Sequence, residues 1–521
     1  TAGEDGKLTD FPVRYTFGIY PLQQYLLPLS RGRLQAFAIA WDSRPEAEGG
    51  QRWFHLNPDE VTDHTDPLHW TGPYMNWNTR CAECHSTNVE KRYDAATRSF
   101  DTRFSTVDVS CEACHGPGEA HLKLVENGGV AEVAGAGFPL ALGQRGDWAF
   151  NDGAAIASRL EPLQGNTQID SCGRCHSRRG TLGEYHYGKP LLDTHRLALP
   201  ESPLYYHDGQ IRDEVFVYGS WVQSNMHQAG VVCSNCHEPH SLQLRAPGNG
   251  VCAQCHQAAV YDQPEHHHHP QASSGAACAN CHMPETTYMV VDPRRDHSMR
   301  IPRPDLSVTM GVPNACNQCH TNKDANWALA SVRDWGVNFT DSSSHPARAL
   351  QRLHEGQVQA VPDVQQLAAD GSATPIMRAT ALTALGQAGV APAPETQALL
   401  QSTEPLLRLG AVRRLANQPL QQRYGLLQPL VNDSVTSVRM AVAESLAQVP
   451  LAQLTEPDAE ALRQLFSEYT AIQAEHADMP GVQLQLGMFL LNRGDLPAAE
   501  KAYREALHLN PQLLPARLNL A

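Results

Sequence analysis

All fourteen cysteines of this 521-residue chain stand in one pattern, Cys-x-x-Cys-His. The seven copies are Cys81/Cys84/His85, Cys111/Cys114/His115, Cys172/Cys175/His176, Cys233/Cys236/His237, Cys252/Cys255/His256, Cys278/Cys281/His282 and Cys316/Cys319/His320. Chemistry explains the spacing. Two thiols three residues apart add across the two vinyl groups of one haem, and the adjacent histidine reaches its iron as proximal ligand. Zinc knuckles would explain paired cysteines but not a histidine after every second one. Disulfides would give no reason for a fixed spacing. The expectation is seven covalently bound haem c groups, a cofactor set whose use is electron transfer.

Each iron takes a second axial ligand. Of the 25 histidines, seven are in the motifs, fourteen others lie at or before residue 320, and only four lie beyond it. That clustering suits bis-histidine ligation. The distal candidates are His69, His121, His227, His240, His268, His297 and His195. His240 is too close to His237 to reach round the same haem, so it should serve a neighbouring one, and His121 after His115 follows the same logic. The run His266 to His269 is expected to supply one ligand, with His268 preferred. The seventh position stays open among His195, His186, His207, His55 and His64. Met226, Met283, Met289 or Met299 could replace a histidine and raise that haem's potential. For every one of these side chains, the plainer reading is a surface or core residue.

The first cysteines of successive motifs are 30, 61, 61, 19, 26 and 38 residues apart. So little protein per motif cannot wrap each haem separately; the haems must touch and stand in for much of the core. Arg294, Arg295, Arg300 and Arg303 could pair with haem propionates or form a solvated basic surface. The formal net charge of −15 argues against nucleic acid as a partner. No run of about twenty apolar residues is present, so the chain is not expected to span a membrane. It starts at Thr1 without initiator Met or signal peptide, which is read as processing, since haem attachment requires export to the periplasm or beyond.

The flanks differ in texture. Val13–Phe17 and Leu34–Trp41 read as strands, with Ser30-Arg31-Gly32-Arg33 as the turn between them. Residues 324 to 338 read as a helix leading away from the haem region. From about residue 346, Arg378, Arg408 and Arg439, 30 and 31 residues apart, each sit near the start of an Ala/Leu-rich helix, as in HEAT repeats. Leu486-Gly487, Leu490, Gly494, Ala499, Tyr503, Ala506 and Pro511 fit one 34-residue tetratricopeptide repeat. The chain ends at Ala521, early in what would be a second such repeat, so the native protein is expected to continue.

The expected fold is mainly α with much irregular structure: a small N-terminal β element, a multihaem cytochrome c array and an α-solenoid. The expected units are 1–80 (β-hairpin packed on the haems), 81–345 (seven-haem domain and connecting helix), 346–455 (HEAT-like repeats) and 456–521 (an incomplete tetratricopeptide-like repeat). Tyr15-Thr16-Phe17-Gly18 with Pro21-Leu22-Gln23-Gln24-Tyr25, Asn76-Trp77-Asn78, Cys81 to Asn88, Cys111 to Gly118 and Pro313-Asn314-Ala315-Cys316 carry a resemblance. On them the chain resembles bacterial multihaem c-type cytochromes with a C-terminal HEAT/tetratricopeptide region. The resemblance implies an exported electron carrier, and one further haem motif upstream, with which a distal ligand could also be missing. Partners would be other redox proteins or further copies of the chain, docked through the repeats. The competing expectation is a reductase or oxidase of a small nitrogen or sulfur compound with one open haem.

Overall fold

The structure is a computed structural model and describes residues 1–60, 62–129, 134–339 and 345–521. Near the N-terminus five short strands form one antiparallel sheet: β1 (Tyr15–Phe17), β2 (Leu22–Pro28), β3 (Leu34–Ala36), β4 (Ile39–Asp42) and β5 (Arg52–His55). The seven-residue β2 organises it. It pairs along one edge with β1, and along the other first with β4 and then with β3. Its side chains alternate, as strand geometry demands, so Leu22, Gln24 and Leu26 face inward. The expected single strand over 34–41 is two strands, broken at Phe37-Ala38. Strands β2 and β5 escaped the sequence reading because β2 is rich in glutamine and β5 opens on Arg52. The turn from β2 to β3 does pass through Arg31 and Gly32, both in the left-handed region at φ 62° and 72°. Gly32 is required twice over, since a Cβ there would also run into the Phe100 carbonyl.

From residue 77 to 320 the backbone is loop, ladders of two to four residues and short helices. Most motifs sit on a helix of a single turn, such as Ala82–His85, Cys111–His115 and Cys278–His282; the third ends a longer helix, Thr167–His176. One helical turn suffices, because residues i and i+3 then share a face and present both thiols to one side.

The C-terminal part is helical. Val361–Ala369 packs on Pro375–Gln387, which packs on Pro405–Arg414, which packs on Thr436–Leu446. Two of the recurring arginines share a task, while Arg378 Nε donates to the Ala368 carbonyl at 3.0 Å. Arg408 forms a fork with Asp433 at 2.7 and 2.8 Å, and Arg439 another with Glu468 at 3.0 and 2.6 Å, each tying one helix to the next segment. Further on, Pro480–Asn492 packs on Leu496–Leu509, with Gly487 giving room to the Tyr503 ring.

This helical part does not lead away from the haem region. The helix Ala325–Asp334 folds back on Pro304–Met310. A single hydrophobic core runs from Ile169, Leu197 and Val232 into Leu409, Val442 and Tyr469. Polar contacts close the seam. Ser437 Oγ donates to the carbonyls of Leu192 and His195 at 2.6 and 2.8 Å, Arg196 pairs with Glu444 at 2.8 Å, and Arg98 with Glu505 at 2.6 Å. No helix among the described residues is long and apolar enough to cross a membrane.

Candidate haem site

One continuous cavity of about 4890 Å³ runs through the middle of the chain, and all fourteen cysteines and all seven motif histidines line it. A seventh of that volume, about 700 Å³, is the size of a cofactor pocket. Burial pushes the imidazoles of His85, His176, His237 and His256 below their usual range, so they stand neutral, the form that can ligate a metal.

Four motif histidines have a second histidine at a telling distance. The ring centroids of His115 and His240 are 6.0 Å apart, those of His282 and His266 6.2 Å, those of His320 and His269 6.2 Å, and those of His237 and His297 6.3 Å. An imidazole nitrogen binds a transition metal at about 2.0 Å and stands about 1.1 Å from its ring centre, so two imidazoles across one iron have centroids about 6.2 Å apart. The ring tautomers agree. Nδ1 of His297 meets the Arg295 carbonyl at 2.9 Å, Nδ1 of His282 the Arg300 carbonyl at 2.9 Å, and Nδ1 of His240 the Glu238 carboxylate at 3.1 Å. A Nδ1–H donated to protein leaves Nε2 as the ligating nitrogen, the usual arrangement around a bound metal. The residues present therefore fit haem iron. His85, His176 and His256 have no second histidine at such a separation among the described residues; His85 meets the Phe17 ring edge-on, with centroids 5.4 Å apart.

The other distal candidates stand elsewhere. His268 takes a left-handed turn (φ 55°) at the end of Pro264–His267 and lies flat on Trp335, 4.3 Å between centroids. His266 and His269, three residues apart, take the positions opposite the motif histidines. His195 is fully buried with both nitrogens engaged, Nδ1 by Thr194 at 2.8 Å and Nε2 by Glu83 at 3.0 Å, leaving none for iron. His121 stacks on Phe138, which in turn contacts His115, so it lies one layer behind the cavity. His69 is buried beside Trp70 with Nδ1 bound to Thr71 at 2.8 Å, and His227 packs edge-on to Trp221; neither lines the cavity.

The arginines also sort differently. Arg294 pairs with Glu214 and Asp292, Arg295 with Glu285, Arg300 with Asp208 and Arg303 with Asp305. Protein carboxylates already occupy them. Arg80 and Arg178 line the cavity side by side, and among the described residues neither forms an ion pair. Burial, and then the Arg178 charge, pulls the Arg80 guanidinium below its usual range. Arg80 stands directly before Cys81, and the sequence reading missed both arginines. The available signal was Arg80's position directly before a motif.

Glu83, inside the first motif, binds the structure together instead of serving a cofactor. Burial pushes its carboxyl up, but the His195 hydrogen bond and the Arg179 charge outweigh that and hold it well below the carboxylate range.

A cavity lined throughout by Cys-x-x-Cys-His, with imidazoles spaced for an iron between them, defines a multihaem c-type cytochrome. Residues 51–116, holding the first two motifs, match the family model for cytochrome c554 and c-prime, and residues 239–321, holding the last three, match that for cytochrome c7 and related cytochrome c. No curated protein matches the chain. Among solved structures it is similar to one titled "Crystal Structure of Outer Cell Wall Cytochrome OcwA", with 17% identity, a TM-score of 0.38, and coverage of 77% of this chain and 85% of that one.

Proposed function

We propose that the chain carries seven haem c groups and conducts electrons outside the cytoplasm, in the periplasm or beyond the cell. The observation that carries this reading is the single cavity shared by all seven motifs. Haem iron supplies the redox chemistry, cycling between two oxidation states. The chain supplies the rest. Paired thiols would fix each group, His240, His297, His266 and His269 would supply a second imidazole at four sites, and Arg80 with Arg178 would meet carboxylates of the first. Dense packing removes water and keeps neighbouring groups in contact, which suits electron tunnelling because tunnelling weakens steeply with distance. The C-terminal helices are read as HEAT- and tetratricopeptide-like repeats, with their outward faces open to redox partners or further copies of the chain.

The test is the mass and the electron paramagnetic resonance of the purified holoprotein. A mass exceeding the polypeptide by seven haems, with low-spin bis-histidine signals from at least four irons, is expected. Fewer haems, or mainly high-spin iron, sinks the reading. The three motif histidines without an opposed histidine favour a second reading at those positions: an open haem that reduces or oxidises a small nitrogen or sulfur compound. Cyanide binding to ferric iron at one of them would support it.

A further inference from the structure

The motif helices touch one another directly, and these contacts give an order that differs from the order in sequence. Cys84, in the first motif, adjoins Cys175 in the third. Cys84 Sγ also lies 3.9 Å from the Arg174 carbonyl and 3.5 Å from Arg179 Nη2. Arg174 belongs to the third motif, and its Nη1 donates to the Ala113 carbonyl of the second at 3.0 Å. Ser171 Oγ donates to the Cys114 carbonyl at 3.5 Å. The third motif therefore holds both the first and the second. The first and second are also joined, through residues that follow the first motif and not through its cysteines: Ser110 N donates to Thr87 Oγ1 at 2.9 Å, and Asn88 Nδ2 donates to Glu112 Oε2 at 3.0 Å.

The third motif also meets the fourth. Cys172 adjoins Cys233, and Ser234 N donates to Gln168 Oε1 at 2.9 Å. From there the contacts run in sequence. Gln254 Nε2 donates to the Asn235 carbonyl at 3.4 Å, Cys278 N to Asn249 Oδ1 at 2.9 Å, and Gln318 Nε2 to the Glu285 carbonyl at 2.9 Å. These link motif four to five, five to six and six to seven.

Exposure separates the ends. Cys111, Cys114 and Cys319 are exposed, while the other cysteines are partly covered. The first motif lies beneath the C-terminal helices. Thr79 Oγ1 donates to Asp478, Lys91 Nζ binds Asp478 at 2.9 Å, and Gln473, His476 and Met479 form cavity wall there.

We infer that the haems form a branched path, with motifs two, three, four, five, six and seven as the through-route between two exposed ends and motif one as a covered side branch on motif three. This rests on the electron-transfer reading above and names its route. With haem bound, one electron from a one-electron redox protein docked at one end would be handed along the successive motifs and would leave to a one-electron acceptor at the other. No bond forms or breaks. An electron on the side branch has no exit of its own and returns through motif three, so that haem stores charge for the through-route.

Anomalous diffraction at the iron edge, on crystals of the holoprotein, tests the order without any variant. The expected result is that the iron of motif three has those of motifs one, two and four as its nearest neighbours. The haem edges at motifs two and seven should be open, and that at motif one covered by residues 473–482. The inference falls if the iron of motif one lies nearer that of motif two than that of motif three, or if its haem edge is as open as that of motif two. Iron positions do not depend on spin state, so failure here is distinguishable from failure of the electron-transfer reading.

Discussion

The rings of His115 and His240 stand 6.0 Å apart with planes 8° from parallel, although 125 residues separate them. His240 follows the fourth motif, yet it stands opposite the histidine of the second, so ligation at one haem would lock two motifs together. Replacing His240 with Met should leave one haem six-coordinate with a weaker donor, which favours the reduced state. One midpoint potential should rise, on the order of 0.1 V, with the others nearly unchanged. Spectroelectrochemical titration of H240M against the parent protein measures this. A uniform shift of all haems, or none, would separate His240 from iron.

The histidine run makes a sharper test, because its members differ in direction and not in type. His266→Ala and His269→Ala should each convert one low-spin haem to high-spin, whereas His268→Ala should convert none, its ring being spent on Trp335. Counting spins by electron paramagnetic resonance decides the matter. Loss of a low-spin signal in H268A would restore it as the ligand.

How legible this site was depended on how local each signal is. That the fourteen cysteines and seven motif histidines gather round one cavity was readable, because their spacing falls within one helical turn. The closeness of His240 and His297 to motifs pointed to the two residues that the structure sets opposite His115 and His237. Within the run, the choice between His268 and its neighbours was not, since a left-handed turn at one residue sets the directions. That His266 and His269 lie three apart, as same-face residues of a helical turn do, was the clue available. The docking of the helical part was invisible, because Lys91 and Asp478 meet across 387 residues and neither stands out locally. The strand β2 was missed for a similar reason: its inward Gln24 breaks the expected apolar alternation.

Arg80 and Arg178 offer a charge test of the first haem. Removing a positive charge beside it stabilises the ferric form and so lowers its potential. Arg80→Gln should lower one midpoint potential by tens of millivolts, roughly the effect of one partly screened charge. Arg303→Gln, which removes a charge already paired with Asp305 and away from the cavity, should change none. Equal effects from the two variants would show that Arg80 faces solvent and not a propionate.

Acid should loosen the seam between the helical part and the first motif. His476 is held down to about 4, first by burial and then by the Lys91 charge, with Asp478 and Glu83 pulling the other way. Its Nδ1 lies 2.9 Å from Lys91 Nζ, and Lys91 also binds Asp478. The sign follows from proton binding. Between the ordinary histidine value of about 6.5 and the folded value near 4, the unfolded chain binds the extra proton and the folded chain does not. Stability is therefore complete above about pH 6.5 and is lost as pH falls toward 4, by roughly 1–3 kcal/mol once partial solvent screening is allowed for. Thermal melting followed by circular dichroism from pH 7 to pH 4 should show this slope, and His476→Gln, which keeps a polar group but cannot titrate, should flatten it. If the variant and the parent protein lose stability in parallel, the acid-sensitive group lies elsewhere, and the cover over the first motif is not held by His476.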